Sequence, residues 1–354
     1  MILKKNITKV LYLFIFSNLF LWTLIPSITN LNLPLDTIEA LAWGSNLDWG
    51  FNKHPPVSAF SVEIFYSIFG KNDWSFYLLS QIFVAIAFFA VWKFSNEIFE
   101  NKLYSLLSVL ILSGIYFYNF TTPEFNVNVC QLPFWALSVY FFWKSLNLNK
   151  KIDWILLGFF SALGFLSKYL FIYILATYLF YFIYNFKSCK KFIPNYFLSI
   201  IISLIILIPH FIWLIENEFI TITYGLNRSS LTEVMLINHF KNPLIFLIKQ
   251  ILILLPFFLI ISSIYKKKHF KLKFKNKKIL FLISINLIPI FLVLITSIIT
   301  GAKIRTMWMT PFYLFFGTLF FEILRNNINL KKIKRFFVIS IFFIILSPST
   351  YLGI

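Results

Sequence analysis

Acidic side chains are few: the 354 residues hold 13 Asp and Glu against 32 Lys and Arg. All charged residues together make up 13% of the chain, where a soluble domain carries about 25%. So little polar surface cannot cover a water-facing globule of this length, which excludes an ordinary soluble enzyme and makes the bilayer the solvent for most of the chain. Cysteine is scarcer still. Cys130 and Cys189 lack metal-ligand spacing and fall on opposite membrane sides in the topology below, so no disulfide is expected. Arginine occurs only as Arg228, Arg305, Arg325 and Arg335. The chain has no Gly-x-x-x-x-Gly-Lys nucleotide loop. It shows no internal repeat, low-complexity tract or separate soluble domain. The four histidines, His54, His210, His239 and His269, form no metal-binding pattern.

What is present is apolar. Hydrophobic residues make up 59% of the chain, and the mean hydropathy is +0.81. The net charge of +19 could suggest nucleic acid as a partner. The charges fall instead in short clusters between apolar runs, the pattern of cytoplasmic loops, and no basic-aromatic module is visible, so nucleic acid is excluded. The expected fold is an all-α polytopic membrane protein with about eleven spans in one domain, residues 1–354, with no soluble C-terminal domain. The expected helices lie near 9–28, 74–93, 103–119, 129–144, 153–167, 170–186, 195–215, 243–264, 279–299, 308–325 and 336–352. The short basic N-terminus lacks a small-residue cleavage site after it, so the first helix reads as uncleaved.

Counting basic residues orients the chain. The loops with Lys4, Lys5 and Lys9; Lys93 and Lys102; Lys144, Lys150 and Lys151; Lys187, Lys190 and Lys191; the eight lysines from Lys266 to Lys278; and Arg325 to Arg335 hold 24 of the 32. These loops are expected in the cytoplasm, with the N-terminus inside and the segments 29–73, 120–128, 216–242 and 300–307 outside. The acids run the other way. Asp36, Glu39, Asp48, Glu63, Asp73, Glu124, Glu216, Glu218 and Glu233 fall outside, nine of the thirteen. That bias places the chemistry on the outer face.

The first outer segment, Leu33 to Phe60, is rich in Trp and amphipathic, and reads as lying along the membrane surface. Asp36 and Glu39 are three apart and share one face of a helix. Such a carboxylate can take a proton from an incoming hydroxyl or amine; the plainer reading is a helix N-terminal acid favoured by the dipole. Lys53-His54-Pro55-Pro56 follows, with two prolines stiffening the backbone. A cation pair fixed there suits a phosphate, though a rigid turn with an interfacial lysine accounts for it equally. Glu124 and Asn126 stand beside the membrane in the second outer loop, as functional residues or as a solvated loop. Lys168 interrupts an apolar stretch of about 30 residues, where a charge needs a partner or snorkels to the surface. Lys303 and Arg305, with Arg228, are outer cations that run against the inside bias. Placing scarce arginines outside points to a use of their bidentate geometry.

The order LDTIEALAW, WGFNKHPPV, TTPEFNVNVCQLPFWAL, LGFLSKY and GAKIRTMWMTP resembles the bacterial membrane glycosyltransferases related to protein O-mannosyltransferases. The lipid A aminoarabinose transferase belongs to the same GT-C superfamily. The resemblance covers residues from about 30 to 315. It implies a helical membrane core, interfacial helices in the first outer loop, a polyprenyl-phosphate sugar donor and an active site facing the periplasm. Asp36 occupies the place of the family's essential acid. The second-loop acid, often Pro-Asp, is here Pro123-Glu124. The residue before Pro-Pro, which in the family often binds the donor phosphate, is His54. Lys303 and Arg305 sit where late basic residues lie near the donor. Two departures stand out. Lys53 replaces an acid that often precedes that residue, which leaves the roles of Lys53 and His54 unassigned. The sequence ends soon after its last expected helix, whereas many relatives carry more, which leaves acceptor recognition to the membrane core or a partner.

The expected activity is inverting sugar transfer at the outer face of a bacterial inner membrane. The acceptor is lipid A, another glycolipid or a protein. Asp36 and Glu124 are the expected catalytic residues, and Lys53, His54, Lys303 and Arg305 the donor-phosphate set. Glu39, Asn126, Lys168 and Arg228 support them. No metal ligand set is read; positioning a divalent cation is an alternative role for Glu124. The rival classes are a lipid or lipid-linked-sugar flippase, which should show inverted repeats and broken midplane helices, and a noncatalytic envelope scaffold.

Overall fold

A computed structural model describes residues 6–229, 235–266 and 276–353. Lys4, Lys5, Glu233, His269 and the lysines of 267–275 lie outside the described residues. The regular elements among the described residues are helices: α1 Ile7–Thr29, α2 Leu35–Gly44, α3 Val57–Phe69, α4 Asp73–Phe99, α5 Lys102–Leu110, α6 Val127–Cys130, α7 Leu132–Leu148 and α8 Lys151–Ser167. They continue with α9 Ile172–Tyr184, α10 Phe186–Cys189, α11 Ile193–Glu216, α12 Ile220–Arg228, α13 Asn238–Ser262, α14 Lys277–Thr300, α15 Phe316–Ile323 and α16 Ile333–Leu352. The protein is all-helical and crosses the membrane several times.

Six helical stretches among the described residues are long and apolar enough to span: Ile7–Thr29, Asp73–Phe99, Phe186–Glu216, Asn238–Ser262, Lys277–Thr300 and Leu330–Leu352. Shorter apolar helices, such as Lys102–Gly114 and Tyr169–Tyr184, fill in between. Central α4 packs against α1, α5 and α7, while α8 packs between α7 and α11. Most of α4 is buried, whereas α11 and α13 expose many of their apolar residues. Exposed apolar faces of this kind suit a lipid surround.

Several expected helices differ in detail. The run 103–119 is helical only to Leu110 and then tightens into 3-10 turns at Ile111–Gly114 and Tyr116–Tyr118. Close packing explains the change: a Cβ on Gly114 would lie 2.9 Å from the backbone nitrogen of Phe257 in α13. The run 308–325 is a 3-10 segment, Thr306–Tyr313, followed by α15. Pro311 sits within that segment and supplies no N–H for an α-helical ladder. The run 129–144 divides at Gln131, and 74–93 extends to Phe99. Helix α12 was not anticipated.

Hydrogen bonds sort the connecting segments into two ends of the bundle. At one end, Asn30 bonds Tyr77 and Tyr351, Trp49 bonds His210, Lys168 bonds Asn128, and the Lys303 N–H reaches the Ser229 carbonyl. At the other end, Lys278 bonds Glu100, Lys277 bonds Asn147, and Asn195 bonds Asn149. Three acids of this second end have cationic partners: Glu100 with Lys278, Asp153 with Lys144 and Glu322 with Arg325. The sequence-predicted site residues lie at the first end.

Candidate functional site

Helix α2 begins directly after Pro34, and its first turn carries Asp36, with Glu39 one turn on. Both acids line one cavity of about 430 Å³. The helix is tied to the second loop by two bonds: the Thr37 hydroxyl donates to the Phe125 carbonyl at 3.2 Å, and the Asp36 N–H donates to Glu124 Oε1 at 3.3 Å. Asn126 then caps α6, its Oδ1 accepting from the N–H groups of Asn128 and Val129, while its amide donates to Glu124 Oε2 at 3.2 Å. This pattern is the usual Asn cap of a helix N-terminus. It fixes Asn128, whose Oδ1 accepts from the Lys168 ammonium. Lys168 occupies a single extended residue between α8 and a 3-10 turn, and its Nζ lies 5.2 Å from the centre of the Trp308 ring.

The Lys53-His54 segment is clamped from α11 and α12. His210 bonds the Trp49 carbonyl at 2.6 Å, Trp213 donates to Asp48 at 2.8 Å, and the buried Thr221 hydroxyl donates to the Phe51 carbonyl at 3.0 Å. Lys53 forms an ion pair with Glu39 and lies 5.9 Å from the Tyr224 ring centre. The His54 ring stands edge-on to Trp43 and Tyr224. Arg228 at the end of α12 and Arg305 complete the charged lining, and Tyr169, Tyr173 and Trp308 supply aromatic walls. Asp36, Arg228 and Arg305 form no ion pair among the described residues, and the Asp36 carboxylate has no hydrogen-bond partner there either.

Burial sets the protonation of the cavity. It raises the Asp36 carboxyl above its ordinary value; Glu39 adds to the rise, while Lys168, Lys53 and Arg228 oppose it. Glu124 is raised by burial and then by the charge of Asp36. His54 is pulled down to about 3 by burial, and then by Lys168, Lys53 and Arg228, so it is a neutral imidazole near pH 7. The same burial draws Lys168 down to about 7, with Asp36 pulling it back up. Lys53 is raised by its bond to Glu39.

A second cavity, of about 570 Å³, adjoins the first. Glu124, Asn126, Lys249 and Lys303 line it, and Asn128, Ile304, Arg305 and Met307 line both. The sequence-predicted residues therefore divide. Asp36, Glu39, Lys53, His54, Lys168 and Arg228 face the first cavity, Glu124, Asn126 and Lys303 the second, and Arg305 both. The expected donor-phosphate set is thus not one cluster. Lys303 lines the second cavity, whereas Lys53 and His54 line the first. Nor are Lys53 and His54 the cation pair that the sequence suggested, because Lys53 is neutralised by Glu39 and His54 is uncharged. Lys168 makes its hydrogen bond to the neutral Asn128, not to an acid. Sequence reasoning missed Asn128, Tyr224, Trp308 and Lys249. Among the described residues no group of three or more His, Cys, Asp or Glu side chains is arranged to hold a metal ion.

Residues 53–213, somewhat under half of the chain, match the family of dolichyl-phosphate-mannose-protein mannosyltransferases. The matched stretch contains Lys53, His54, Glu124, Asn128 and Lys168, and stops short of Asp36 on one side and of Arg228 and Arg305 on the other. No curated protein and no solved structure gives a match. The family match, on an all-helical chain with several apolar spans, supports the GT-C superfamily: the protein is a multi-pass membrane glycosyltransferase.

Proposed function

We propose that the first cavity transfers a sugar from a polyprenyl-phosphate donor to an envelope acceptor: lipid A, another glycolipid or a protein. The reaction runs at the periplasmic face of a bacterial inner membrane, with the N-terminus in the cytoplasm. The observation that carries this reading is that the Asp36 carboxylate lines one aromatic-walled cavity with the guanidinium groups of Arg228 and Arg305, and that none of the three has an ion-pair partner among the described residues. Asp36 takes the proton of the acceptor hydroxyl, or orients an amine. The acceptor atom attacks the anomeric carbon as the bond to the phosphate oxygen breaks, inverting that carbon. Polyprenyl phosphate leaves with the electron pair, and Arg228 and Arg305 stabilise the charge that develops on it. Lys168 adds a positive charge when protonated. Neutral His54 offers a hydrogen bond rather than a charge, and Lys53 holds Glu39 against the cavity wall. Glu124 keeps the helix of Asp36 in place from behind.

The test is mass spectrometry of lipid A and of polyprenyl-phosphate sugars, comparing a deletion strain with strains carrying wild type or Asp36→Asn. A glycan mass should vanish on deletion, return with wild type and fail to return with Asp36→Asn. With purified protein, that variant should lose about 10²–10⁴-fold in rate. Wild-type turnover by Asp36→Asn at normal protein levels would end its role as base.

A further inference from the structure

The second cavity contains charges that the transfer reaction leaves unused. Lys249 lies near the middle of the 25-residue helix α13, within the apolar sequence Leu244 to Leu255. A lysine at the centre of a spanning helix costs about 2.5–3.5 kcal/mol on insertion scales, and such residues mark ligand or ion pathways. Lys249 and Lys303 line the second cavity and not the first, and Arg305 lies between the two. None of the three forms an ion pair among the described residues, in contrast to Lys53, Lys144, Lys278 and Arg325. Among the described residues the one acid of this lining, Glu124, is bonded to the Asp36 N–H and to Asn126, and burial and Asp36 bias it towards its neutral form. The described lining thus has an excess of positive charge and suits an anion.

The surroundings of Lys249 indicate where that anion comes from. Leu244, Ile248, Ile251 and Leu252 on the same helix are 50–58% exposed, a surface made for acyl chains. An anion that reaches Lys249 along this helix arrives on a lipid. We propose that the second cavity is a lipid-phosphate site, entered sideways from the bilayer along α13. Its occupant is a phosphate-bearing lipid other than the sugar donor. Lys249 is the deep anchor, and Lys303 and Arg305 close over the phosphate from the loop. Rested on the transferase reading above, this makes the acceptor an anionic lipid rather than a protein. The two headgroups then meet at Asn128 and Arg305, the polar residues among the four common to both cavities.

The experiment uses the full chain in phosphatidylcholine nanodiscs and native mass spectrometry. The probes are undecaprenyl phosphate, and dioleoyl phosphatidic acid as a phosphomonoester lipid without a polyprenyl chain. The expected result is a double dissociation. Lys249→Gln lowers phosphatidic acid occupancy about tenfold, and Lys249→Arg restores it. Arg228→Gln lowers undecaprenyl phosphate occupancy about tenfold and spares phosphatidic acid. If Lys249→Gln weakens undecaprenyl phosphate instead, the cavity holds the donor and the proposal is overturned. If phosphatidic acid binds no better than phosphatidylcholine, or its binding ignores Lys249, the proposal is likewise overturned. If wild-type protein fails to bind undecaprenyl phosphate at all, the donor reading of the first cavity falls, whatever phosphatidic acid does. Full retention of one probe in each variant shows that the variant is folded.

Discussion

The backbone N–H of Asp36 donates to the side chain of Glu124, 88 residues further along the chain. The bond joins the α1–α3 connection to the loop before α6, at the wall between the cavities. The Asp36 carboxylate lines the first cavity and has no hydrogen-bond or ion-pair partner among the described residues, so in the proposed reaction the task of Glu124 is to position the helix of Asp36. Replacing Glu124 by Gln keeps a carbonyl oxygen for the Asp36 N–H, so turnover should fall less than tenfold. Glu124→Ala removes the acceptor and leaves a half-buried N–H unpaired, a loss of about 1–3 kcal/mol. Turnover should then drop by a further factor of about ten or more, mainly in kcat. Equal activity of the Gln and Ala variants would remove this bond from the account.

The pH dependence follows from two groups that face the same cavity. In the proposed reaction Asp36 works as a base only when ionised, and burial places its pKa above the ordinary carboxylate value. Rate is therefore lost as pH falls through that raised value. Lys168 carries its charge only below about 7. Rate is lost again as pH rises through that value, because the cavity then lacks a cation near the leaving phosphate. The profile should be a bell with its alkaline limb near neutrality. Lys168→Arg keeps the charge at all working pH values and should move the alkaline limb upward. Lys168→Met should abolish that limb, lower the plateau, and shift the acid limb upward, since a cation that stabilised ionised Asp36 is gone. An alkaline limb that stays put in Lys168→Arg assigns it to another group.

Much of this site was legible in the chain, and the rest was not, for physical reasons. Asp36 and Glu39 share a helix face because of their spacing alone, and Lys168 declared itself as a charge within an apolar run. Lys249 carries the same signal inside the run 243–264, where hydropathy averages it away. Which acid stays free could not be read locally. Lys53 meets Glu39 from a segment that α11 and α12 hold at Asp48, Trp49 and Phe51, contacts that lie far off in the sequence. Nor could the sequence divide Lys303 from His54, since two cavities exist only when the 302–308 segment and Asn128 form a wall. The early end of α5 has the same origin: Ile111 to Tyr118 is apolar enough to continue a helix, and the approach of α13 at Gly114 decides otherwise.

The clamp itself can be tested at Gly50. A Cβ there would stand 2.3 Å from the ring of Trp213, a separation that no packing allows. Trp213 has little freedom to move, because its indole N–H is bonded to Asp48 and its ring stacks on His210. Gly50→Ala must therefore displace the loop that carries Lys53 and His54. Overpacking of this kind costs about 1–3 kcal/mol. The thermal midpoint in detergent should fall, and the Lys53–Glu39 pair should loosen with it, raising KM for the donor more than it lowers kcat. Trp213→Ala removes the obstructing ring. Combined with Gly50→Ala, it should show less destabilisation than the two single changes added together, because they share one contact. Additive effects, or a wild-type midpoint in Gly50→Ala, would mean that the loop is not held by this contact and that another element positions Lys53 and His54.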